Sequence, residues 1–498
     1  MPTFSLTTFS FSRCVIGVLL CTLNISCAVG PNFEKPQGPL VSQYTETTMP
    51  EKTISAPIQI GEAQHFIKGK EISDQWWELF HSPSLNTLIC KGLTNSPSVS
   101  AAYYALNTAQ ENYKVQFGNS LLPSFDLLGS ANRQRFSGSN FGNDTTPPRT
   151  FNTFTTQITG SYNLDLFGGA RRELEAFKAL IDFQRFELEA AYLTLATNIV
   201  TTAISEASIR EQIAATQELI QLQQTQLNIT RQQFELGALS QTDVLTQESN
   251  LAQIIATLPS LEKNLAQTRH ALAVLVGDLP SYQGRPEFYL SELDLPTELP
   301  VSLPSALVQQ RPDIRASEAL LHQASAKIGV ATANLLPQIS INGNYGWQSN
   351  FLNNLFSPQN VIWNLTGQVL QPLFHGGALL AQRRAAISAF MQARAQYQQT
   401  VLVAFQNVAD ILRALEYDAQ SLKIQLDAER TAKKVFELNE QKYRLGAINY
   451  IVLLNANRDY QRALINRIQA QALRLGDTAL LFQALGGGWW NRDIRGHS

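Results

Sequence analysis

The sequence predicts a mixed α and β fold, mainly α, built as an internal two-fold repeat. Three observations predict it. Leu236-Gly237-Ala238 returns as Leu445-Gly446-Ala447, with Phe234 matching Tyr443, Leu245 matching Leu454 and Gly277 matching Gly486, all at a spacing of 209 residues. Two stretches, 170–236 and 378–445, contain neither proline nor glycine. Four shorter segments alternate apolar and polar residues with the period of a strand. A duplicated unit cut at matching turns implies two structurally equivalent halves. Upstream, Leu121-Leu122-Pro123 recurs as Leu335-Leu336-Pro337, and Leu166-Phe167-Gly168-Gly169 recurs loosely as Leu373-Phe374-His375-Gly376-Gly377.

The first element, 1–26, reads as a secretory signal: Arg13 precedes the apolar run Val15 to Leu20, and the segment ends near Ser26-Cys27-Ala28. Such a run is too short to span a membrane. Of the four cysteines, Cys14 and Cys21 fall inside the signal. Cys27 and Cys90 alone make no disulfide framework, and Cys90 reads as a small buried hydrophobe. Cys27 is either the lipidated first residue of a lipoprotein or a bystander to cleavage after Ala28; the leucine usual three residues before such a cysteine is here Asn24, with Leu23 one further back. A tail and equatorial segment, 27–95, follows.

Repeat 1 covers 96–280 and repeat 2 covers 306–486, separated by a linker at 281–305 and followed by a tail at 487–498. Each repeat opens with a β-hairpin, about 122–166 and about 336–373. In 151–166, Phe154, Ile158, Tyr162, Leu164 and Leu166 share one face, with Gln157, Thr159, Ser161, Asn163 and Asp165 on the other. Its weaker partner sets Phe125, Leu127 and Ala131 against Ser124, Asp126, Ser130 and Asn132. In the second repeat Ile339, Ile341, Tyr345 and Trp347 oppose Gln338, Ser340, Asn342 and Asn344, while Val361, Trp363, Leu365 and Val369 oppose Asn364, Thr366 and Gln368. Loops rich in Ser, Asn, Gly and Pro join each pair, at 136–150 and 348–360. Segments of about ten residues with one apolar face, one polar face and aromatic ends match outer-membrane barrel strands. A soluble sandwich is the alternative. Four strands cannot close a membrane barrel, and an open edge in lipid strands unpaired backbone groups; three copies would supply about twelve strands.

Each hairpin feeds a long helical hairpin, about 170–277 and about 378–485. An unbroken helix from 170 to 236 would run on the order of 100 Å. Gly237 and Gly446 suit the left-handed position that ends a helix. Ser240 with Asp243 forms a capping-box pair for the first return helix, and Asn449 caps the second. The small tip residues either make the turn alone or also admit a docking partner.

The formal charge is −2, with 16% charged residues, so no basic field recruits nucleic acid. The six histidines show no metal-ligand spacing, and the chain has no phosphate loop and no Gly-x-Ser-x-Gly elbow. The sequence therefore points to no cofactor, no metal, no catalytic residue and no enzyme.

The order and spacing of several short motifs are more specific. Cys27-Ala28-Val29-Gly30-Pro31-Asn32-Phe33 with Pro36, Trp76-Trp77 with Leu79-Phe80, Pro83 and Leu85, Arg311-Pro312-Asp313-Ile314, Leu336-Pro337 and Tyr443-Arg444-Leu445-Gly446 occur in succession. Over nearly the whole mature chain this resembles the TolC family of outer-membrane efflux proteins, and within it the OprM-like, NodT-type lipoproteins of RND multidrug efflux systems.

The resemblance implies a TolC-like homotrimer in which a 12-stranded outer-membrane β-barrel, four strands per chain, continues into a long periplasmic α-helical barrel. It implies lipidation at Cys27, anchorage in outer-membrane lipid and extension into the periplasm. A periplasmic adaptor would meet the tips at Leu236, Gly237, Ala238 and Ser240 and at Leu445, Gly446, Ala447 and Asn449, linking the duct to an inner-membrane pump of RND type. A periplasmic gate would involve Val452, Asn455, Arg458 and Asp459; Asn455 stands where relatives often carry Asp, which weakens a charge-based gate. The expected function is a passive exit duct for small molecules such as drugs. The alternatives are the duct of a type I protein secretion system and a periplasmic helical scaffold that never inserts.

Overall fold

The structure is a computed structural model that describes residues 28–39, 41–137 and 147–492. The signal segment 1–26, Cys27, the middle of the first hairpin loop and the last residues of the tail lie outside the described residues.

In chain order the first half holds β1 (His65–Lys68), α1 (Pro83–Asn95), α2 (Pro97–Leu121), β2 (Ser124–Phe136), β3 (Arg149–Leu164), α3 (Gly169–Glu235), α4 (Gln241–Ile255) and α5 (Leu258–Leu275). The second half holds β4 (Glu298–Val301), α6 (Pro304–Gln310), α7 (Pro312–Ala333), β5 (Gln338–Ser349), β6 (Val361–Leu370), α8 (Ala378–Arg444) and α9 (Tyr450–Ala484). The repeat is preserved to the residue in the long helices: α3 and α8 each have 67 residues. Two compact units cut across the repeats. One is 1–35, 106–183 and 317–397; the other is 36–105, 184–316 and 398–498.

The first unit is organised by a four-stranded antiparallel sheet of order β2-β3-β5-β6. Its register places Leu127, Ile158, Tyr345 and Trp363 in one cross-strand row and Asp126, Thr159, Asn344 and Asn364 in the next. Because side chains alternate across a strand, one face is mainly apolar and the other mainly polar. The apolar face is bare in a single chain: Leu127 is 75% exposed and Trp363 72%. β2 and β6 are free edges of the sheet.

One detail corrects the sequence reading. Asp165 and Leu166 are not strand residues, since β3 ends at Leu164. The Asp165 carboxylate instead accepts the backbone N–H groups of Ala170 and Arg171 at 3.1 and 3.0 Å, satisfying donors that the first turn of α3 leaves open. The beginning of the described chain is strapped to that same turn. Val29 N–H donates to Phe167 O, and Arg172 donates to Val29 O at 3.1 Å and to Asn32 Oδ1 at 2.7 Å. Phe33 stacks on His322 with ring centroids 4.3 Å apart, and Lys35 pairs with Glu318. Burial alone pushes the Glu175 carboxyl up, but hydrogen bonds from Arg172 and His322 outweigh it and hold the group below the usual range.

The second unit packs around Trp76, which stacks on Phe482 at 5.1 Å, with Phe80, Leu85, Ile89, Leu272 and Leu293 fully buried beside them. Residues 281–305 contribute to this core through Phe288, Leu290, Leu295 and Leu299, and β4 pairs in parallel with β1. Arg474 is completely buried; it donates to Ile60 O, Thr53 Oγ1 and Glu62 O, and desolvation lowers its pKa to about 10. The two return helices differ. α9 is continuous over 35 residues, whereas the first return divides into α4 and α5 just before Pro259, which supplies no N–H to carry a helix through. Cys90 is also not the buried hydrophobe that the sequence suggests: it is an exposed free thiol on α1, and Leu88 and Ile89 fill the core instead.

Candidate functional site

The helical hairpin tips are built as the sequence predicts. α3 ends at Gly237 with φ 75°, and α8 ends at Gly446 with φ 69°, conformations that glycine adopts without strain. Ser240 Oγ accepts the Asp243 N–H, and the Asp243 carboxylate accepts the Ser240 N–H at 3.0 Å, completing a capping box. Asn449 Oδ1 accepts the Val452 N–H at 3.2 Å. All eight tip residues, Leu236, Gly237, Ala238, Ser240, Leu445, Gly446, Ala447 and Asn449, are exposed. Leu236 and Leu445 are 84% and 83% exposed, so each turn presents a bare apolar side chain beside a glycine. A methyl group added at either glycine would meet nothing within 4 Å, leaving the backbone open to close approach.

Just above the second tip, Val452, Asn455 and Asp459 occupy one exposed face of α9. Arg458 donates to Asn250 Oδ1 at 2.8 Å and Gln253 Oε1 at 3.2 Å on α4, tying the two hairpins of one chain together. That tie is part of a network that sequence reasoning missed. The Tyr450 hydroxyl accepts from Gln223 Nε2 at 3.2 Å and Asn250 Nδ2 at 3.4 Å, while Asn457 Nδ2 donates to Gln223 Oε1 at 2.6 Å. Tyr443, Tyr450, Leu453 and Leu454 pack beside it, with the two tyrosine rings 5.8 Å apart. Burial raises the pKa of both phenols, so they remain neutral at physiological pH. Gln247 is fully buried, and among the described residues neither of its amide atoms has a partner. Uncharged glutamine and asparagine on a helix give no sign of which face they will bury, and only the packing of α3, α4 and α9 reveals the cluster.

The polar face of the sheet carries uncharged groups that bond one another: Asn344 donates to Gln157 Oε1 at 3.1 Å, and Ser124 and Ser161 lie 2.9 Å apart. Asp126 is the sole acidic residue of the four strands. Among the described residues no group of acidic, histidine or cysteine side chains could hold a metal ion, and no helix is long and apolar enough to cross a membrane.

Residues 88–278 and 303–487 match the family described as outer membrane efflux protein. The chain belongs to the outer membrane efflux protein family. The antibiotic efflux pump outer membrane protein ArpC of Pseudomonas putida is 28% identical over 473 residues, 94% of this chain and 93% of that one. The cation efflux system protein CusC of Escherichia coli O6:H1 is 27% identical over 93% of this chain and 96% of its own. The solved outer-membrane channel OprN superimposes with a TM-score of 0.83, covering 93% of this chain and all of that one at 24% identity. As a member of the outer membrane efflux protein family, the chain has the TolC-like channel fold and is an outer-membrane component of a tripartite efflux pump. Members of the family are trimeric channels that work with adaptor proteins and inner-membrane pumps.

Proposed function

We propose that this efflux protein is a passive, non-enzymatic exit duct for small molecules, docked at its hairpin tips by a periplasmic adaptor and narrowed by Val452 and Asn455. The observation that carries the docking reading is the pair of exposed Leu-Gly-Ala turns, identical in sequence and each with its glycine in the left-handed region. A turn requires only the glycine. Two bare leucines beside an open backbone suit the close packing of another helical hairpin, here that of an adaptor serving an RND-type pump. The sheet face lined by Asn, Gln, Ser and Thr offers water-like hydrogen bonding with little selectivity, which suits a duct used by varied cargo. Antibiotic-like compounds are the leading candidates, as in the relative named for antibiotic efflux.

Leu236→Asp combined with Leu445→Asp tests the docking. Both side chains are exposed, so trimer assembly and single-channel conductance should match wild type while cellular efflux of a fluorescent dye falls to the level of a deletion strain. Unimpaired efflux would exclude the tips as the adaptor surface. For the gate, Asn455→Ala should raise antibiotic leakage and conductance; unchanged values would remove Asn455 from the constriction. Cys27 is proposed as the lipidated residue.

A further inference from the structure

The four strands carry three cations, Arg133, Arg135 and Arg149, and no lysine. All three lie at the end of the sheet farthest from the junctions with the helices. By register, Arg133 and Arg135 share the parity of Phe125, Leu127 and Ala131, so they project on the apolar, lipid-facing side. Arg149 pairs with Phe136 and projects on the polar side.

The apolar band can be measured along β3, from Leu164 at the helix junction to Phe154. That ten-residue step is about 33 Å along a strand, and about 25 Å along the membrane normal at the usual tilt, the full height of a barrel's apolar band. Phe154 is opposite Ala131; the next outward rows are Asn152 opposite Arg133 and Thr150 opposite Arg135. The two arginines thus emerge immediately above the band. An outward arginine costs about 2–4 kcal/mol at the bilayer midplane and little at the interface, so this is where the fold can hold them. Both are exposed, and Asp126, the sole acidic residue of the strands, faces the other side near the opposite end.

From this placement we infer that Arg133 and Arg135, with Asn152 and Thr150 beside them, form a binding surface for the phosphate groups of outer-leaflet lipid. The outer leaflet of a bacterial outer membrane is composed largely of a phosphorylated glycolipid, and the planar guanidinium fork matches phosphate oxygens two at a time. A trimer carries six such arginines around its outer rim. The inference rests on the outer-membrane barrel reading.

The test uses full-length trimer in nanodiscs containing the glycolipid lipid A in phosphorylated or enzymatically dephosphorylated form. Bound lipid is counted by native mass spectrometry, with single-channel conductance recorded in parallel. Wild type should retain the phosphorylated form several-fold better, with retention falling as salt rises. Arg133→Gln with Arg135→Gln should abolish that preference at unchanged conductance, and Arg133→Lys with Arg135→Lys should keep part of it. Equal retention of the two lipids by wild type, or an undiminished preference in the glutamine variant, overturns the inference. The wild-type comparison decides the matter even where the glutamine variant does not assemble. Failure of wild type to insert as a trimer would overturn the barrel reading and the inference together.

Discussion

Asp418 is a partly buried carboxyl set beside a second one, Asp477. Burial first, then a hydrogen bond and repulsion from Asp477, push its pKa up to about 7, against the attraction of Arg474. The folded state therefore holds a proton that the unfolded chain has released above roughly pH 4. Stability from this group is greatest below that range and is lost as the pH rises toward 7. Asp418→Asn should raise Tm by about 2–4 °C at pH 8 and leave it unchanged at pH 4; an equal shift at both values would remove protonation from the account. Tyr450→Phe makes a second residue-scale prediction. It strips the acceptor from the Gln223 and Asn250 amides, a loss of about 1–3 kcal/mol where donors stay buried. Leakage through the channel should rise because the hairpins hold each other less firmly, which a nitrocefin influx assay would measure. None of these roles was legible in the sequence. The exposure of Cys90, the Tyr450 network and the crowding at Asp418 are set by which helix packs opposite, and local pattern carries no record of that.

Elements were read more successfully, because capping and alternation are local. Gly237, Ser240, Asp243, Gly446 and Asn449 do what their residue types dictate, and the strand faces follow the period-two pattern up to the overrun at Asp165 and Leu166. Ser240→Ala should cost about 1 kcal/mol at the first tip and show as faster amide hydrogen exchange over Gln241 to Val244, with no change at the second tip. The break before Pro259 was missed although its signal was present: proline ends a helix wherever it falls, and the second repeat has Ile468 at the same spacing. The charge pattern of the sheet predicts a property of the lumen. The polar face carries two charges, Asp126 near the helix junctions and Arg149 at the far end; three copies of Asp126 should favour cations at their own level, so Asp126→Asn should lower the cation-to-anion permeability ratio in planar bilayers. An unchanged ratio would place the selectivity elsewhere, such as the helical part of the duct.

For the whole molecule, the sequence revealed the need for other copies through a strand count too small to close a barrel, and the free edges β2 and β6 show where closure must occur. What holds the start of the chain was not visible in the same way. Arg172 is separated from Val29 and Asn32 by more than a hundred residues, yet its guanidinium grips both. The grip places Ala28 against the Phe167–Gly168 turn, where the sheet gives way to α3 and the bilayer boundary must fall. An acyl chain on the preceding residue, Cys27, would enter the membrane there without any linker. The protein would then have two membrane attachments, the barrel and the lipid on Cys27, and a twelve-stranded barrel holds without the second. Cys27→Ser should therefore abolish palmitate labelling while the trimer still fractionates with the outer membrane after carbonate washing. Arg172→Ala should leave labelling intact and make the first residues of the mature chain sensitive to protease in detergent. Release of the Cys27→Ser protein into the periplasm would mean that the strands alone do not hold it.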